Sequence, residues 1–452
     1  MHRIKPLTIQ VSGYSFIQKW TDLPFQTLPI AGFELLLLLI TKYIQMKTNR
    51  LYKLSLLFTA LISFVSCGED RTYEYLEKTA ENQWIFSTMS EAYLWADEIK
   101  SPERSDFFAT PSKFFTSLLA RTDKTSFFSD STATTSYGMQ FALMRDPLGE
   151  KMSRYYALVL NVEPGSPADA AGIVRGTWIA TANNKALTSS ATALLTLGDA
   201  ISIGTQTIEF DDENEKYVWT AGETLQLQSS VTVTTKAIPF HTVYNVRSSK
   251  IGYILCNTLN GSTITEEFQD IILDFLAQDV TDIILDVRYC TGGTLDNAAG
   301  IASALVPTSL AGTPFATLNG KEEEILAYPV SPVNVSDKKL YIIMGNATKG
   351  AVETLIASVN ASRGMYEVLT IGATTAGANV LTREFQSPFA FSINPAVALI
   401  SASNGIELSA TGIAPDYPLD ELEEIQHIYP LGNEREYILR NVQYLIVNGN
   451  MP

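Results

Sequence analysis

Histidine, cysteine and basic residues are scarce in this chain. Its 452 residues include three histidines and three cysteines, and 32 Lys and Arg stand against 48 Asp and Glu, a formal net charge of −16. Residues 1–67 hold seven of the basic and two of the acidic residues, which leaves 25 basic against 46 acidic residues in the remainder. This acidic excess disfavours nucleic acid as a partner. A solvated acidic surface that aids solubility is its simplest interpretation.

Metal and histidine chemistry therefore has few side chains to use. His241 and His427 lie in no Ser, Cys or Asp motif, so packing or surface roles are expected for both. No grouping of Cys, His and Asp has the spacing of a metal site, and we expect neither a metal nor another cofactor. Cys256 and Cys290 are the only cysteines besides Cys67. A disulfide between them is one interpretation, but two unpaired thiols are favoured.

Two apolar stretches near the N-terminus differ in kind. "AGFELLLLLITKY" is too short to span a bilayer of ~30 Å as a helix. From Met46, a basic start, an apolar run and small residues before Cys67 form a secretory leader. We expect residues 46–67 to be a lipoprotein signal peptide and residues 1–45 to be an over-extended N-terminus. A genuine second membrane segment is the alternative for residues 1–45.

The end of this leader, "FVSC", resembles the bacterial lipobox, in which the cysteine is lipid-modified and becomes the mature N-terminus. Phe64 stands where leucine is usual, and a structural cysteine behind an ordinary signal peptide is the alternative. A lipid at Cys67 would place the chain in the cell envelope, at the outer membrane, on its periplasmic face or at the cell surface. Glu69 and Asp70 fit export to the surface, or a solvated tether.

The length and the changes in composition predict several domains. Residues 68–80 are polar and acidic, as in a tether. Aromatic residues at near-helical spacing predict a small helical domain at 81–130. Short strands and glycine turns predict a β domain at 135–237. An α/β core is expected at 240–430, followed by a C-terminal helical segment at 431–452.

The β domain carries a specific signal. "VEPGSPADAAGIVRGTWI" resembles the most recognisable stretch of a PDZ domain, where a strand and a Gly-Ser-Pro-Ala turn lead into a short helix. A PDZ domain captures a peptide C-terminus with exposed N–H groups while the peptide adds a strand to the sheet. The positions of that carboxylate-binding loop are Tyr137, Gly138, Met139, Gln140 and Phe141. A purely structural β domain is the alternative.

The third region predicts parallel strands. "IGYILC" and "DIILDV" are strands, and between them one helical face carries Ile264, Phe268, Ile271, Ile272 and Phe275. A β-α-β unit of this length implies a right-handed crossover. "IIMGNATKGAVETLIASV" predicts a further strand, turn and helix, with Gly350 at the helix start, where backbone N–H groups stabilise a negative charge. Ligands of such sheets gather where these turns cluster.

The whole order, from Asn82 to the C-terminus, resembles the C-terminal-processing, or tail-specific, serine protease family, in its lipoprotein branch. "LDVRYCTGGTLDNAAGIASAL" stands where that family has a run close to Leu-Asp-Leu-Arg-Tyr-Asn-Gly-Gly-Gly, and "ATGIAPDY" matches its late Gly-Ile-x-Pro-Asp signature. The resemblance implies an α+β multidomain fold: a small N-terminal helical domain, a PDZ-like β domain and an α/β, ClpP/crotonase-like protease core.

Members of this family cleave peptide bonds with a Ser-Lys dyad, and both dyad positions are substituted here. The serine motif reads "TKGAVE", which places Gly350 at the nucleophile position. The lysine motif reads "GATTAGANV", which places Ala378 at the base position. Glu353 matches a family glutamate that supports the dyad, but with nothing to orient it is expected to act as a helix N-terminal carboxylate.

The resemblance therefore implies an inactive homologue that binds peptides or protein C-termini. Backbone N–H groups near Gly292, Gly293 and Ala351 are candidates for an oxyanion-type site. The alternative is an active serine endopeptidase that cleaves envelope proteins with a displaced dyad. Lys349, Ser358 and Ser362 are poor replacements, because Lys349 points away from the vacant position and both serines lie too far along the predicted helix. A structural protein with a collapsed peptide groove is a third interpretation.

Overall fold

The computed structural model describes residues 72–130, 134–150 and 153–452. The predictions for residues 1–45, for the signal peptide at 46–67 and for the lipid at Cys67 lie outside this range. The chain divides into two units, Met1–Glu77 and Lys78–Pro452, and apart from residues 72–77 of the first helix the architecture below is that of the second.

The first helix, α1, includes much of the segment predicted as a tether. It runs from Thr72 to Ala92, so residues 72–80 are helical. Between positions 74 and 81 the chain is rich in Glu, Leu, Lys and Ala, which are strong helix formers. The role of residues 68–80 as a tether stays a prediction.

Two short elements follow α1 and complete an aromatic layer. They are the helix α2 (Pro111–Ser117) and the strand β1 (Phe127–Asp130). Proline at the first position of α2 fits a helix start. The buried side chains of this layer pack against a strand of the core through Phe391 and Ile393, so the aromatic stripe predicted in the sequence serves packing. Its buried members from residues 81–130 are Ile85, Met89, Tyr93, Phe114, Phe115, Leu118 and Ala120.

The next domain, here called the β domain, is an antiparallel sheet with two short helices. Its strands are ordered β2-β3-β4-β6-β7, with β5 paired to β4, so that β2 lies at one edge of the sheet. Its elements are β2 (Met139–Arg145), β3 (Tyr155–Val162), α3 (Pro167–Ala170), β4 (Trp178–Ala182), β5 (Lys185–Ala186), α4 (Ala191–Thr196), β6 (Ile201–Asp211) and β7 (Lys216–Leu227).

The core domain is built on a six-stranded sheet. Its first part comprises β8 (Phe240–Val246), β9 (Ser249–Leu255), α5 (Ile264–Ala277), β10 (Asp282–Asp286), α6 (Leu295–Leu305), β11 (Pro314–Gly320) and β12 (Glu323–Ala327). Its second part comprises β13 (Lys339–Met344), α7 (Ala351–Ala361), β14 (Val368–Gly372), β15 (Val380–Thr382), β16 (Phe385–Gln386), β17 (Phe391–Asn394), β18 (Ala396–Ala402), β19 (Ile406–Glu407), β20 (Tyr417–Pro418) and α8 (Tyr437–Asn448).

The strand order of this sheet, β20-β14-β13-β10-β9-β8, places consecutive β-α-β units side by side. All neighbouring pairs from β20 to β9 are parallel, and β8 pairs antiparallel with β9. The predicted parallel arrangement is thus confirmed. The predicted buried face of α5 is confirmed as well, because Ile264, Phe268, Ile271, Ile272 and Phe275 are all buried.

Helices cover both faces of this sheet. The face that carries α5, α6 and α7 forms the largest apolar cluster, and α8 packs on the opposite face through Ile438, Leu439, Val442 and Leu445. A second sheet, ordered β12-β11-β18-β15, joins the larger cluster through Phe315. In a parallel sheet with this topology, the loops that follow the strands meet at one edge, and ligand sites are expected there.

Candidate functional site

Four loops meet at the carboxyl ends of β9, β10, β13 and β14, and main-chain hydrogen bonds join them. Thr291 N donates to Asn257 O at 3.0 Å, which ties the loop after β10 to the loop after β9. Gly292 N donates to Lys349 O at 3.2 Å, and this bond reaches the loop after β13. Ala376 N donates to the main chain of that loop in turn. The two dyad motifs and the glycine loop therefore form one connected surface.

Gly350 lies at the N-cap of α7, as predicted, in a conformation that requires glycine. Its φ is 94° and its ψ is −140°, a region that L-residues rarely adopt. A Cβ atom built there would lie 3.3 Å from Gly292 O and 3.4 Å from Gly292 N. The position predicted for the nucleophile is thus a tight, strained turn against Gly292 in the loop after β10, whose main chain a larger residue would have to displace slightly.

Glu353 connects the two substituted positions. It lies in the first turn of α7 and is 1% exposed. One oxygen, Oε2, accepts hydrogen bonds from Ala378 N at 2.7 Å and from Gly350 N at 3.2 Å. The other, Oε1, accepts from Thr375 Oγ1 at 2.5 Å and from Gly377 N at 2.8 Å. One buried carboxylate therefore holds the main chain at both dyad positions, a wider role than the helix N-terminal one predicted from the sequence.

Two residues of "ATGIAPDY", Ile413 and Asp416, also hydrogen-bond to the loop and strand at β14. Thr375 Oγ1, which donates to Glu353, also accepts from Ile413 N at 2.8 Å. A few residues on, Asp416 accepts from Thr370 N at 2.8 Å and pairs with Arg363 at 2.5 Å. Burial would raise the pKa of Asp416, but its bonds to Arg363 and Thr370 outweigh burial and hold that pKa below its ordinary value.

Two of the three predicted oxyanion donors already have acceptors. Gly292 N donates to Lys349 O, and Gly293 N donates to Asn260 Oδ1 at 3.2 Å. These N–H groups are engaged within the protein, so neither is free to bind an anion in this arrangement. For Ala351 N, at the first position of α7, the oxyanion role stays a prediction.

Two segments of the chain match known protein-family models. Residues 250–419 match the model of peptidase family S41, and residues 80–129 match the model of the peptidase S41 N-terminal domain. Two segments of the chain thus match domain models of peptidase family S41. The dyad positions and Glu353 lie within the first of these matches. No curated protein sequence matches the chain.

Three solved structures are similar to this chain. A Bacteroides fragilis NCTC 9343 protein assigned to the S41 proteases is 25% identical, with a TM-score of 0.70, and the match covers 81% of this chain and 97% of that one. Mature CPAF is 10% identical with a TM-score of 0.50 and coverages of 84% and 99%, a likeness of fold alone. The photosystem II D1 C-terminal processing protease is 18% identical with a TM-score of 0.49 and coverages of 76% and 93%.

The side chains weighed as replacement nucleophiles are not arranged for catalysis. Ser358 is fully buried in α7, where its Oγ donates to Phe315 O at 2.8 Å and accepts from Ser403 N at 3.2 Å. Ser362 is also buried, and its Oγ donates to Ser358 O. Both hydroxyls therefore satisfy main-chain groups inside the S41 core.

The loop predicted to bind a peptide carboxylate is partly engaged. Tyr137 is fully buried; its N–H donates to Thr196 O at 3.0 Å. Gly138 N donates to Ser136 Oγ at 2.7 Å. The exposed N–H groups expected at these two positions are therefore occupied. Met139, Gln140 and Phe141 begin β2, whose outer edge has no partner strand among the described residues.

Sequence reasoning missed a buried charge network behind the glycine loop. Arg288 is 2% exposed, with its Nη2 2.8 Å from Asp286 Oδ2 and its Nη1 2.7 Å from Glu436 Oε1. Burial would raise the pKa of Glu436, but the attraction of Arg288 and Arg175 outweighs burial and holds that pKa below its ordinary value. Arg175, from the β domain, also pairs with Glu421 at 2.9 Å. The Asp-x-Arg pattern in "LDVRY", formed by Asp286 and Arg288, was the sequence feature that could have indicated this network.

Cys256 and Cys290 are buried free thiols. His427 packs edge-to-face against Tyr217. Within the described ranges, no group of three or more His, Cys, Asp or Glu side chains is placed to hold a metal ion. In the same ranges, no helix combines the length and apolar character needed to cross a bilayer.

Proposed function

We propose that this protein is a non-catalytic S41 homologue that binds extended peptides or protein C-termini in the cell envelope. The proposal is carried by residues 350 and 378, where the family has its serine and lysine. Both lie in the connected surface formed by the loops after β9, β10, β13 and β14, here called the platform. Gly350 offers no atom that could attack a carbonyl, and Ala378 offers no nitrogen that could accept a proton. Glu353 holds the main chain of both positions in place nonetheless.

Peptide binding is supported by the edge of the β domain. We interpret this domain as PDZ-like, with β2 as the strand to which a peptide adds. Among the described residues, the main chain of β2 pairs with β3 on one side only, so its other side offers N–H and C=O groups to an incoming strand. Because the N–H groups of Tyr137 and Gly138 are engaged, main-chain pairing along β2 is expected to contribute more affinity than capture of a terminal carboxylate.

A peptide-array experiment tests this part of the proposal. Extended peptides with free C-termini and the same sequences with amidated C-termini are titrated against the purified chain. We expect binding by some sequences, with a modest preference, below about tenfold (~1.4 kcal/mol), for the free carboxylate. Failure of every sequence in both forms would favour the purely structural interpretation of the β domain.

The absence of catalysis is tested with a serine-directed fluorophosphonate probe and an unstructured protein substrate. We expect neither labelling nor cleavage by the parent chain. Labelling that disappears when one serine is replaced would instead support the displaced-dyad endopeptidase and overturn the proposal.

Restoring both side chains tests whether the platform is still competent. The double variant Gly350→Ser with Ala378→Lys returns nucleophile and base together, and the two act as a unit, so each single variant is expected to be inactive. Serine at position 350 must adopt a φ that costs roughly 1–3 kcal/mol, a strain of the kind that serine nucleophiles on sharp turns carry. We expect slow cleavage or probe labelling by the folded double variant only. An inert but folded double variant would mean that the geometry of the site has changed further.

The location in the envelope is proposed from the leader, and Cys67→Ala tests it. The variant is expected to remain uncleaved by lipoprotein signal peptidase and to lose its lipid, as followed by mass spectrometry of the membrane fraction. Normal processing and membrane retention of Cys67→Ala would refute the lipid anchor.

A further inference from the structure

The segment that contains β15 and β16, residues 379–386, has one side without a partner strand. It pairs along its length with β18 and β17, from Val380 opposite Leu399 to Gln386 opposite Ser392. On the other side, neither β15 nor β16 has a neighbouring strand among the described residues. Every residue of this segment is at least partly exposed to solvent. At ~3.3 Å per residue, this open edge can pair with an extended segment of about eight residues.

A recess of about 910 Å³ lies beside the 379–386 edge. Residues 381 and 383–386 form one wall, and parts of α1, β11, β12 and β18 form the rest. Trp84, Leu318 and Leu381 give the recess apolar surface, whereas neither Gly350 nor any residue of β2 lines it. Its volume lies within the ~300–1,000 Å³ of pockets for drug-sized ligands, so it has room for several side chains of a bound segment.

Negative charge dominates the wall of this recess. It contains five glutamates and two basic residues, which are Glu91, Glu322, Glu323, Glu324, Glu384, Lys321 and Arg383. All seven side chains belong to exposed residues, so the charges face solvent. A cationic partner would therefore meet complementary charge here, and an anionic partner would be repelled.

The two basic residues do little to offset the glutamates. Lys321 Nζ donates to Ser90 O at 2.8 Å and to Glu91 O at 2.5 Å, so its ammonium group is bound to main-chain carbonyls at the end of α1. Arg383 Nη2 lies 3.9 Å from Glu324 Oε2, and both side chains are more than half exposed, which makes this a weak pair. The other four glutamates of the wall form no ion pair among the described residues.

We propose that the 379–386 edge and its recess bind an extended segment of another protein that is rich in lysine or arginine. The segment adds a strand to the open edge through main-chain hydrogen bonds. Its basic side chains reach the glutamates, while their aliphatic stems pack on Trp84 and Leu381. This surface is distinct from β2 and from the platform, so the inference goes beyond the proposed function.

A second copy of this chain does not suit the surface. Charged side chains on an edge strand discourage pairing between identical edges, and this edge carries Arg383 and Glu384. Two copies that met at the recess would also bring two glutamate-rich walls together in a chain with a formal net charge of −16. The occupant is therefore a polypeptide of opposite charge.

Fluorescence anisotropy with two labelled peptides tests the predicted chemistry on the full chain. One peptide is Thr-Lys-Val-Lys-Val-Lys-Val-Thr, and the other has glutamate in place of lysine. Both are acetylated and amidated, so that capture of a terminal carboxylate does not contribute. We expect the lysine peptide to bind at least tenfold more tightly, with an affinity that falls as salt is added. Equal binding of the two peptides would overturn the proposal.

Charge-neutral variants test whether the recess is responsible. Glu322→Gln, Glu323→Gln and Glu384→Gln, made together, are expected to weaken binding of the lysine peptide at least fivefold. The matched control is Glu213→Gln with Glu215→Gln and Glu223→Gln, which makes the same change in net charge outside the recess. All six residues are exposed, so both triple variants should fold. Equal weakening in the two triple variants would assign the effect to overall charge and would overturn the proposal.

Photo-cross-linking locates the bound peptide and separates this inference from the proposed function. A lysine peptide with a photoreactive group is irradiated with the parent chain, and the adducts are mapped by mass spectrometry. We expect adducts within residues 81–92 and 379–386. Adducts confined to residues 139–145 would overturn this inference while supporting peptide addition to β2.

Competition with spermidine distinguishes a polypeptide from a small polyamine. Spermidine carries positive charge but cannot add a strand to the edge. We expect it to displace the lysine peptide only at concentrations at least tenfold above the dissociation constant of that peptide. Displacement at or below that dissociation constant would identify a small polyamine as the ligand and overturn the assignment of a polypeptide segment.

Discussion

The buried carboxylate of Glu353 should be the strongest single determinant of order at the platform. Replacing it with alanine leaves four donors without their acceptor, three of them main-chain N–H groups at Gly350, Gly377 and Ala378. Removing one partner of a buried hydrogen bond costs ~1–3 kcal/mol, and bonds to a charged group lie at the upper end. The contributions are not independent, because all four act through one side chain and water can reach some donors once the loop opens.

We therefore expect Glu353→Ala to lose about 3–5 kcal/mol of local stability. At 1.4 kcal/mol per factor of ten, this corresponds to a fall of roughly 150-fold to 4,000-fold in the protection of the affected amides from hydrogen exchange. The assay is hydrogen exchange with mass spectrometry on fragments that cover residues 372–380 and 345–353. Strand β10 and helix α5 provide internal references whose protection should change little.

Two variants calibrate this result. Glu353→Gln keeps the size of the side chain but turns an NH₂ group toward two of the N–H donors, so about half of the loss is expected. Glu367→Gln is the surface control, because Glu367 and its partner Lys339 are each about half exposed, and its effect should stay within ~0.5 kcal/mol. Unchanged protection of residues 372–380 in a folded Glu353→Ala variant would refute the reasoning that one carboxylate holds both positions.

Three further outcomes are expected. Because the pKa of Glu436 is lowered, the stability contributed by this carboxylate should be complete above pH 4.5, the ordinary pKa of glutamate, and lost at lower pH. The melting temperatures of the parent and Glu436→Gln should therefore converge as the solution is acidified. A difference in melting temperature that does not depend on pH would contradict this. The contact with Cys256 and burial raise the pKa of the Cys290 thiol. A Cys67→Ala chain keeps only the two buried cysteines, Cys256 and Cys290, so it should not react with a disulfide reagent until it unfolds. Rapid labelling of the native chain would contradict this. Gly138→Ala should lower the free energy of unfolding by at least ~3 kcal/mol in a denaturant titration, because its Cβ would lie 2.1 Å from Ser166 Cβ. Gly165→Ala has a similar positive φ but open space around it, so it should lower the free energy of unfolding by only ~1–2 kcal/mol. Equal losses in the two variants would contradict this.

Local patterns in the sequence were sufficient for the elements that position the site. The five apolar residues of α5 are spaced for one helical face, and that face is buried because a crossover helix has no other way to cover the sheet. The start of α7 after Gly350 followed from an apolar strand, a turn of small residues and a helical repeat. In both cases the determining contacts lie within a few residues along the chain or within one β-α-β unit.

Contacts between distant segments could not be predicted in this way. The partners of Glu353 in the loop after β14 lie 22 to 25 residues away, and Arg288 meets Glu436 across 148 residues. No periodicity records such pairings, since they depend on how separate loops are brought together at the sheet. The helical conformation of residues 72–80, within the predicted tether of 68–80, was missed for a different reason, because polarity was given more weight than helix propensity. The engaged N–H groups of Gly292 and Tyr137 likewise depend on neighbouring loops.

The platform around Gly350 maintains its shape without a serine or a lysine side chain. Its connections are main-chain hydrogen bonds between successive loops and the bonds of Glu353, and none of them passes through a side chain at position 350 or 378. A buried carboxylate is stable only when several donors surround it, and here the two dyad positions supply two of those donors. The hydrogen bonds that satisfy the buried Glu353 carboxylate therefore also fix the main chain at positions 350 and 378. This surface can therefore keep its shape with glycine at position 350 and alanine at position 378. Under the proposed function, its shape and main-chain groups are what it offers to a partner.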